Sequence, residues 1–169
     1  MPHLDAAYRF ARWLTRSGQE AEDVVQEALL RAFRAFDTLR GTDVKGWLLA
    51  IVRNCHATAL RQQQRRGFVP LPSQEEADFG ATALAAPPDP EGYSIAEQER
   101  RRLTTVLAGL GAEHREVLVL REMEDLSYRE IAAVTQLPIG TVMSRLARAR
   151  AALRASWLKD TSGEPRAVR

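Results

Sequence analysis

Residues 127–154 read SYREIAAVTQLPIGTVMSRLARARAALR, and this stretch sets the architecture of the C-terminal half. Ser127 is a strong N-cap residue, and Glu130 stands three positions on, the spacing of a capping box. Ile131, Ala132 and Val134 then make a small apolar face, which predicts a short helix over residues 128–134. Residues 135–138, TQLP, interrupt the pattern. Proline fits the first turn of a helix and biases the residue before it away from helical geometry, so a second helix is expected from about Pro138. In that helix Val142, Leu146, Ala149 and Leu153 recur at helical spacing, with Thr141, Ser144, Arg145 and Arg148 on the opposite side. It also carries Arg150 and Arg154, and no acid occurs between Pro138 and Trp157. A short helix, a tight turn, then a helix with small polar residues at its start and arginines along it is the layout of a helix-turn-helix DNA reader. Small side chains allow close approach to base edges, while arginines grip phosphates or guanines. An ordinary amphipathic helix with a solvated basic face has the same pattern, so the rest of the chain must decide.

The 169 residues suffice for one domain or two small ones. A hydrophobic content of 45% is ordinary for a soluble globular protein. No apolar run approaches the roughly 18 residues of a membrane span, and the N-terminus lacks a basic-then-apolar signal, so no membrane insertion is expected. The single cysteine, Cys55, excludes an internal disulfide framework and fits a reducing compartment, which predicts a cytoplasmic location. The net charge of +2 is unevenly spread: +4 over residues 1–66, −6 over residues 67–97, +3 over residues 98–157 and +1 over the tail, residues 158–169. The predicted fold class is therefore all-α, with two small helical domains (1–66 and 98–157) joined by an acidic, Pro-rich linker (67–97).

Within the first domain, Leu4, Ala7, Tyr8, Ala11 and Leu14 predict a helix over residues 4–15, broken at Ser17-Gly18. A longer helix over residues 20–36 carries Val24, Val25, Ala28, Leu29, Ala32, Phe33 and Phe36 as a wide apolar stripe. Its other side presents Asp23, Gln26, Glu27 and Leu30, which a solvated face of a core helix would also do. Residues 37–46, DTLRGTDVKG, read as a loop. A third helix over residues 47–66 places Leu48, Ile51, Val52, Cys55 and Ala59 toward the core, and Asn54, Thr58, Arg61 and Arg65 on another face. No acid occurs between Asp43 and Glu75. A basic helix preceded by a polar loop and Trp47 can hold a nucleic-acid strand, although a tryptophan there also suits a core or helix-start role. The second domain opens with a helix over residues 95–110, in which Leu103, Val106, Leu107 and Leu110 share a face. A further helix over residues 113–122 is expected to bury Val117, Leu118 and Leu120 against the helix-turn-helix, with Arg115 and Arg121 outward.

EIA, then GTVMSRLARAR after a proline, resembles the promoter-reading C-terminal domain of bacterial sigma factors of the extracytoplasmic function (ECF) group. AEDVVQEALLRAF, then WLLAIVRN and a basic helix end, resembles the N-terminal domain of the same family. The resemblance implies a sigma factor, with core RNA polymerase and promoter DNA as partners and an anti-sigma factor as regulator. It implies polymerase contacts at Asp23, Gln26, Glu27 and Arg31. It implies −10 element reading by the loop of residues 38–45 and the following helix, with Lys45, Trp47, Asn54, Arg61 and Arg65. It implies −35 element reading by Thr141, Met143, Ser144, Arg145, Ala147 and Arg148. It also implies that the acidic linker threads the polymerase's nucleic-acid channel. Three positions depart from the family's usual residues: Gln136 for glycine, Met143 for a basic residue and Thr58 for aspartate.

No catalytic constellation is legible, and the chain reads as a non-enzyme. Cys55-His56 would need further ligands to hold a metal, and His3 and His114 lie in other segments, so neither metal nor cofactor is expected. No phosphate loop, nucleophile elbow or zinc-protease motif occurs. Two other readings remain at this point: a stand-alone helix-turn-helix regulator, which leaves the first domain unexplained, and a sigma-like decoy for an anti-sigma factor, which would have no use for two basic faces.

Overall fold

A computed structural model describes residues 3–15, 17–39, 43–65 and 95–161; among them all regular structure is helical. Three helices form the first lobe: α1 (Leu4–Leu14), α2 (Gly18–Arg34) and α3 (Val44–Arg65), with a 3₁₀ turn at Phe36–Thr38. α2 starts where the Ser17 hydroxyl accepts the Glu20 N–H at 3.2 Å. α3 starts earlier than the sequence predicts, because Asp43 Oδ1 accepts the Gly46 N–H at 2.8 Å and opens the helix. A Cβ at position 46 would run into the Asp43 carboxylate, so this glycine belongs to a helix cap and not to a loop.

Phe10, Ala11 and Trp13 of α1, Val24, Val25, Ala28 and Ala32 of α2, and Leu48, Leu49, Val52 and Cys55 of α3 make the first lobe's core. This corrects two expected faces. α1 is rotated so that Phe10 and Trp13 are inside and Leu4 is exposed; two aromatic rings remove more apolar surface from water than the leucine would. Phe33 of α2 is 77% and Phe36 of the 3₁₀ turn 60% exposed, although the hydrophobic pattern places both in the apolar stripe. At about 100° per residue, Phe33 sits about 120° from the centre of the alanine- and valine-lined face, and Leu30 nearly opposite it.

The second lobe contains α4 (Ile95–Ala108), α5 (Ala112–Leu118), a π turn at Val119–Met123, α6 (Tyr128–Thr135) and α7 (Ile139–Thr161). Val117, Leu118, Leu120, Ile131, Val134, Val142, Leu146 and Ala149 are buried together. Leu103, expected inside, is 41% exposed. Arg115 and Arg121, expected outward, are half-buried. They donate to the Ala108 and Leu126 carbonyls at 2.9 and 2.8 Å, satisfying backbone acceptors that the helix ends leave open. The helix expected over residues 113–122 widens into the π turn, where the Glu124 N–H reaches back to the Val119 carbonyl at 3.1 Å.

The lobes are packed on one another. α3 lies against α6, and α1 against α5 and the π turn. Residues 40–42 of the predicted loop, residues 67–94 of the predicted linker and the tail from residue 162 lie outside the described residues; α4 begins at Ile95, inside the stretch read as linker.

Candidate nucleic-acid interface

The helix-turn-helix forms as its sequence predicts. The Ser127 hydroxyl accepts the Glu130 N–H at 3.3 Å, and the Glu130 carboxylate accepts the Ser127 N–H at 2.6 Å, closing a capping box. Hydrogen bonds from the Ser127 side chain and backbone hold the Glu130 carboxyl below its ordinary pKa. α6 ends at Gln136 with φ 56° and ψ 35°, a left-handed residue. The Leu137 N–H then donates to the Ala132 carbonyl at 3.2 Å, and the Pro138 carbonyl accepts the Thr141 and Val142 N–H groups at 2.8 and 3.1 Å to start α7. A side chain in the left-handed region is unfavourable by about 1 kcal/mol, so Gln136→Gly is expected to raise stability by up to roughly that amount. Chemical denaturation checks it through the midpoint at unchanged slope.

α7 buries Val142, Leu146 and Ala149 and turns Met143, Ser144, Ala147 and Arg148 outward, all four exposed. Thr141 is half-buried beside them, and the Ser144 hydroxyl donates to its carbonyl at 3.0 Å. Arg145 stands apart: its side chain is 21% exposed and its guanidinium pairs with Glu113 at 3.1 Å. Arg150 pairs with Glu122 at 2.7 Å, whereas no acid among the described residues pairs with Arg148. The outward row is thus small and smooth with one uncommitted guanidinium, a shape and charge that suit a major groove.

On α3, Trp47, Asn54, Arg61 and Arg65 fall at spacings of 7, 14 and 18 residues and share one face, since each interval is close to a whole number of helical turns. Asn54, Arg61 and Arg65 are exposed and Trp47 is half-buried against the core. Lys45 does not join this row. It lies on the opposite side of the helix, and its ammonium donates to the Glu124 carbonyl at 2.6 Å and pairs with Glu124 Oε2 at 3.0 Å. Asp23, Gln26, Glu27 and Arg31 are all exposed on α2, with Arg31 donating to Glu27 at 2.7 Å. Between them stands Leu30, 55% exposed, with Phe33 beside it. Hydrophobicity alone assigns Phe33 to the core; its helical angle places it outward, beside Gln26 and Leu30.

Among the described residues no group of three His, Cys, Asp or Glu side chains is placed to hold a metal ion. Cys55 faces the core, where burial raises its pKa. His56 is half-buried, and its pKa is lowered below the ordinary 6.5 chiefly by burial, with Arg115 and Arg53 acting in the same sense and Glu20 against. The unfolded chain therefore binds more protons than the folded one just below pH 6.5. His56's contribution to stability is complete above that pH and is lost as pH falls from it toward the depressed folded pKa. The Tm is expected to drop between about pH 7 and 5 for this reason among others, and His56→Gln to flatten the dependence.

Basic helices on both lobes, one of them in a helix-turn-helix, define a two-part DNA-binding protein. Residues 1–66 match the family described as Sigma-70 region 2, and residues 100–153 the one described as Sigma-70, region 4. The ECF RNA polymerase sigma-E factor of Escherichia coli (strain K12) is 37% identical over 138 residues, 79% of this chain and 72% of that protein. The RNA polymerase sigma-H factor of Pseudomonas aeruginosa is 38% identical over 138 residues, 80% of this chain and 72% of that one. Among solved structures, the sigma factor RpoE of Bartonella quintana, in complex with the anti-sigma factor NepR, superposes with a TM-score of 0.70 at 30% identity, covering 92% of both chains. This chain belongs to the ECF RNA polymerase sigma factors.

Proposed function

We propose that this ECF sigma factor docks on core RNA polymerase through the outward face of α2 and directs it to promoters by reading two elements. Asp23, Gln26, Glu27 and Arg31, ringing Leu30, form the polymerase-binding row. Thr141, Met143, Ser144, Ala147 and Arg148 read the −35 element as duplex, with Arg145 held at their edge by Glu113. Trp47, Asn54, Arg61 and Arg65 hold the −10 element, where a stacking ring and cations suit a separated strand. The functional division is residues 1–66 for polymerase and −10 contacts, residues 98–157 for the −35 element, and residues 67–97 as the acidic connection, whose net charge of −6 suits a basic channel. Met143, where a basic residue is usual, offers an apolar contact that favours a thymine methyl over a guanine. The protein supplies recognition and leaves bond formation to the polymerase, acts in the cytoplasm, and is held in check by an anti-sigma factor, as RpoE is bound by NepR in the solved complex.

The observation that carries this reading is the α2 face. An exposed leucine and phenylalanine among polar and charged neighbours serve neither the core nor DNA, and a stand-alone repressor has no use for them. Co-elution of the purified protein with core polymerase tests it. Wild type is expected to co-elute and an Asp23→Ala/Gln26→Ala double variant to be lost from the complex. DNA binding without polymerase binding would instead make the chain a stand-alone regulator.

A further inference from the structure

α7 carries no acid between Pro138 and Trp157, yet two of its arginines are met by carboxylates from the segment that precedes the helix-turn-helix. Glu113, in the first turn of α5, reaches Arg145 at 3.1 Å. Glu122, in the π turn, accepts from Nε and Nη2 of Arg150 at 3.2 and 2.7 Å. At about 100° per residue, Arg145 and Arg150 each lie about 70° from the centre of the buried row of Val142, Leu146 and Ala149, on opposite sides of it. They therefore border the outward row of Met143, Ser144, Ala147 and Arg148, one along each edge.

A helix seated in a major groove has a phosphate strand along each edge, so edge arginines are the ones that hold phosphates. Here each edge arginine already has a carboxylate as its counter-charge. Neither pair is a major support of the fold. The side chains of Glu113 and Glu122 are 71% and 54% exposed, and ion pairs so open to water add little to stability. Their effect on DNA is larger. Each glutamate cancels one cation and sets a negative charge beside the reading face, where phosphates repel it.

We propose that Glu113 and Glu122 set the affinity of the −35 reader by holding its two edge arginines off the phosphate backbone, leaving the helix to bind through its base-facing row. Phosphate contacts strengthen binding to every sequence alike. A reader with two fewer of them spends less time on non-promoter DNA, and its base contacts decide where it stays. The proposal rests on α7 being the DNA-binding helix, and Arg148 tests that premise separately.

The full-length protein is titrated against a labelled duplex of mixed sequence, about 30 base pairs long, between about 50 and 200 mM salt. Glu113→Gln is expected to raise affinity about five- to tenfold at the low end and to steepen the salt slope by about 1, as one added phosphate contact requires. Glu122→Gln should do the same, and the double variant should steepen the slope by about 2. In an Arg145→Ala background, Glu113→Gln should leave the slope unchanged, because the cation it frees is gone. Ion pairs that serve only the fold predict the reverse: a lower Tm, with affinity unchanged or reduced. Unchanged slopes in both glutamine variants, while Arg148→Ala still weakens binding, would overturn the proposal and leave α7 as the reader. Binding that none of these variants alters, Arg148→Ala included, would take α7 off DNA and overturn the proposal together with its premise.

Discussion

Leu30→Asp should weaken binding to core RNA polymerase by about a hundredfold or more while leaving the fold intact. Leu30 is 55% exposed on the side of α2 opposite the core, so replacing it takes nothing from the packing of Val24, Val25 and Ala28. On the helix surface it is flanked by Asp23, Gln26, Glu27 and Phe33, which makes it the centre of the proposed docking row. Apolar side chains at the middle of a protein interface, sealed from water by polar neighbours, carry about 2 kcal/mol or more, and burying an unpaired carboxylate in their place adds to the loss. Phe33→Ala should act in the same direction and Arg31→Ala much less, because the exposed Glu27–Arg31 pair is worth only a few tenths of a kcal/mol. Titration against core polymerase with circular dichroism as the fold control checks the order. An unchanged affinity for Leu30→Asp would take α2 out of the interface.

Arg148→Ala should weaken promoter recognition by the holoenzyme by about 1–3 kcal/mol, roughly five- to 150-fold. The structure separates Arg148 from Arg145, which the sequence alone treats alike. Arg148 is exposed on the outward row, whereas Arg145 spends its charge on Glu113 and would have to leave that partner to reach DNA. Arg145→Ala is therefore expected to cost less affinity than Arg148→Ala. The salt dependence tells the two kinds of contact apart. Loss of a phosphate contact weakens all sequences alike and lowers the slope by about 1, while loss of a base contact relaxes specificity at one position. Equal and full affinity in both variants would remove α7 from the groove.

The all-helical class, the capping box, the break at Pro138 and the buried row of α7 were legible because each depends on neighbours in sequence. Ser127 with Glu130, and Val142 with Leu146 and Ala149, lie within one or a few turns of each other. What the sequence hid was of two kinds. Phe33, Phe36 and Leu103 are apolar but exposed, and hydrophobicity alone does not tell a core residue from one kept for a partner. Arg9–Glu124 and Arg53–Glu116 span 115 and 63 positions, and no local pattern announces a pair made by the docking of two lobes. Lys45 shows the consequence. The family resemblance implies a −10 contact for it; by register it lies opposite Trp47, Asn54, Arg61 and Arg65 and holds Glu124. Gln136 was the opposite case, a residue at a turn that wants glycine, and its left-handed φ of 56° is what that position demands.

This chain is expected to turn core RNA polymerase into a promoter-specific enzyme. Run-off transcription tests it most directly: core polymerase alone, with the wild-type protein, and with the Leu30→Asp variant, on fragments of the source genome selected by holoenzyme binding. Discrete transcripts that need the wild-type protein and vanish with the variant are the predicted result. Transcripts no different from those of core polymerase alone, from a protein that still binds the same fragments, would contradict it.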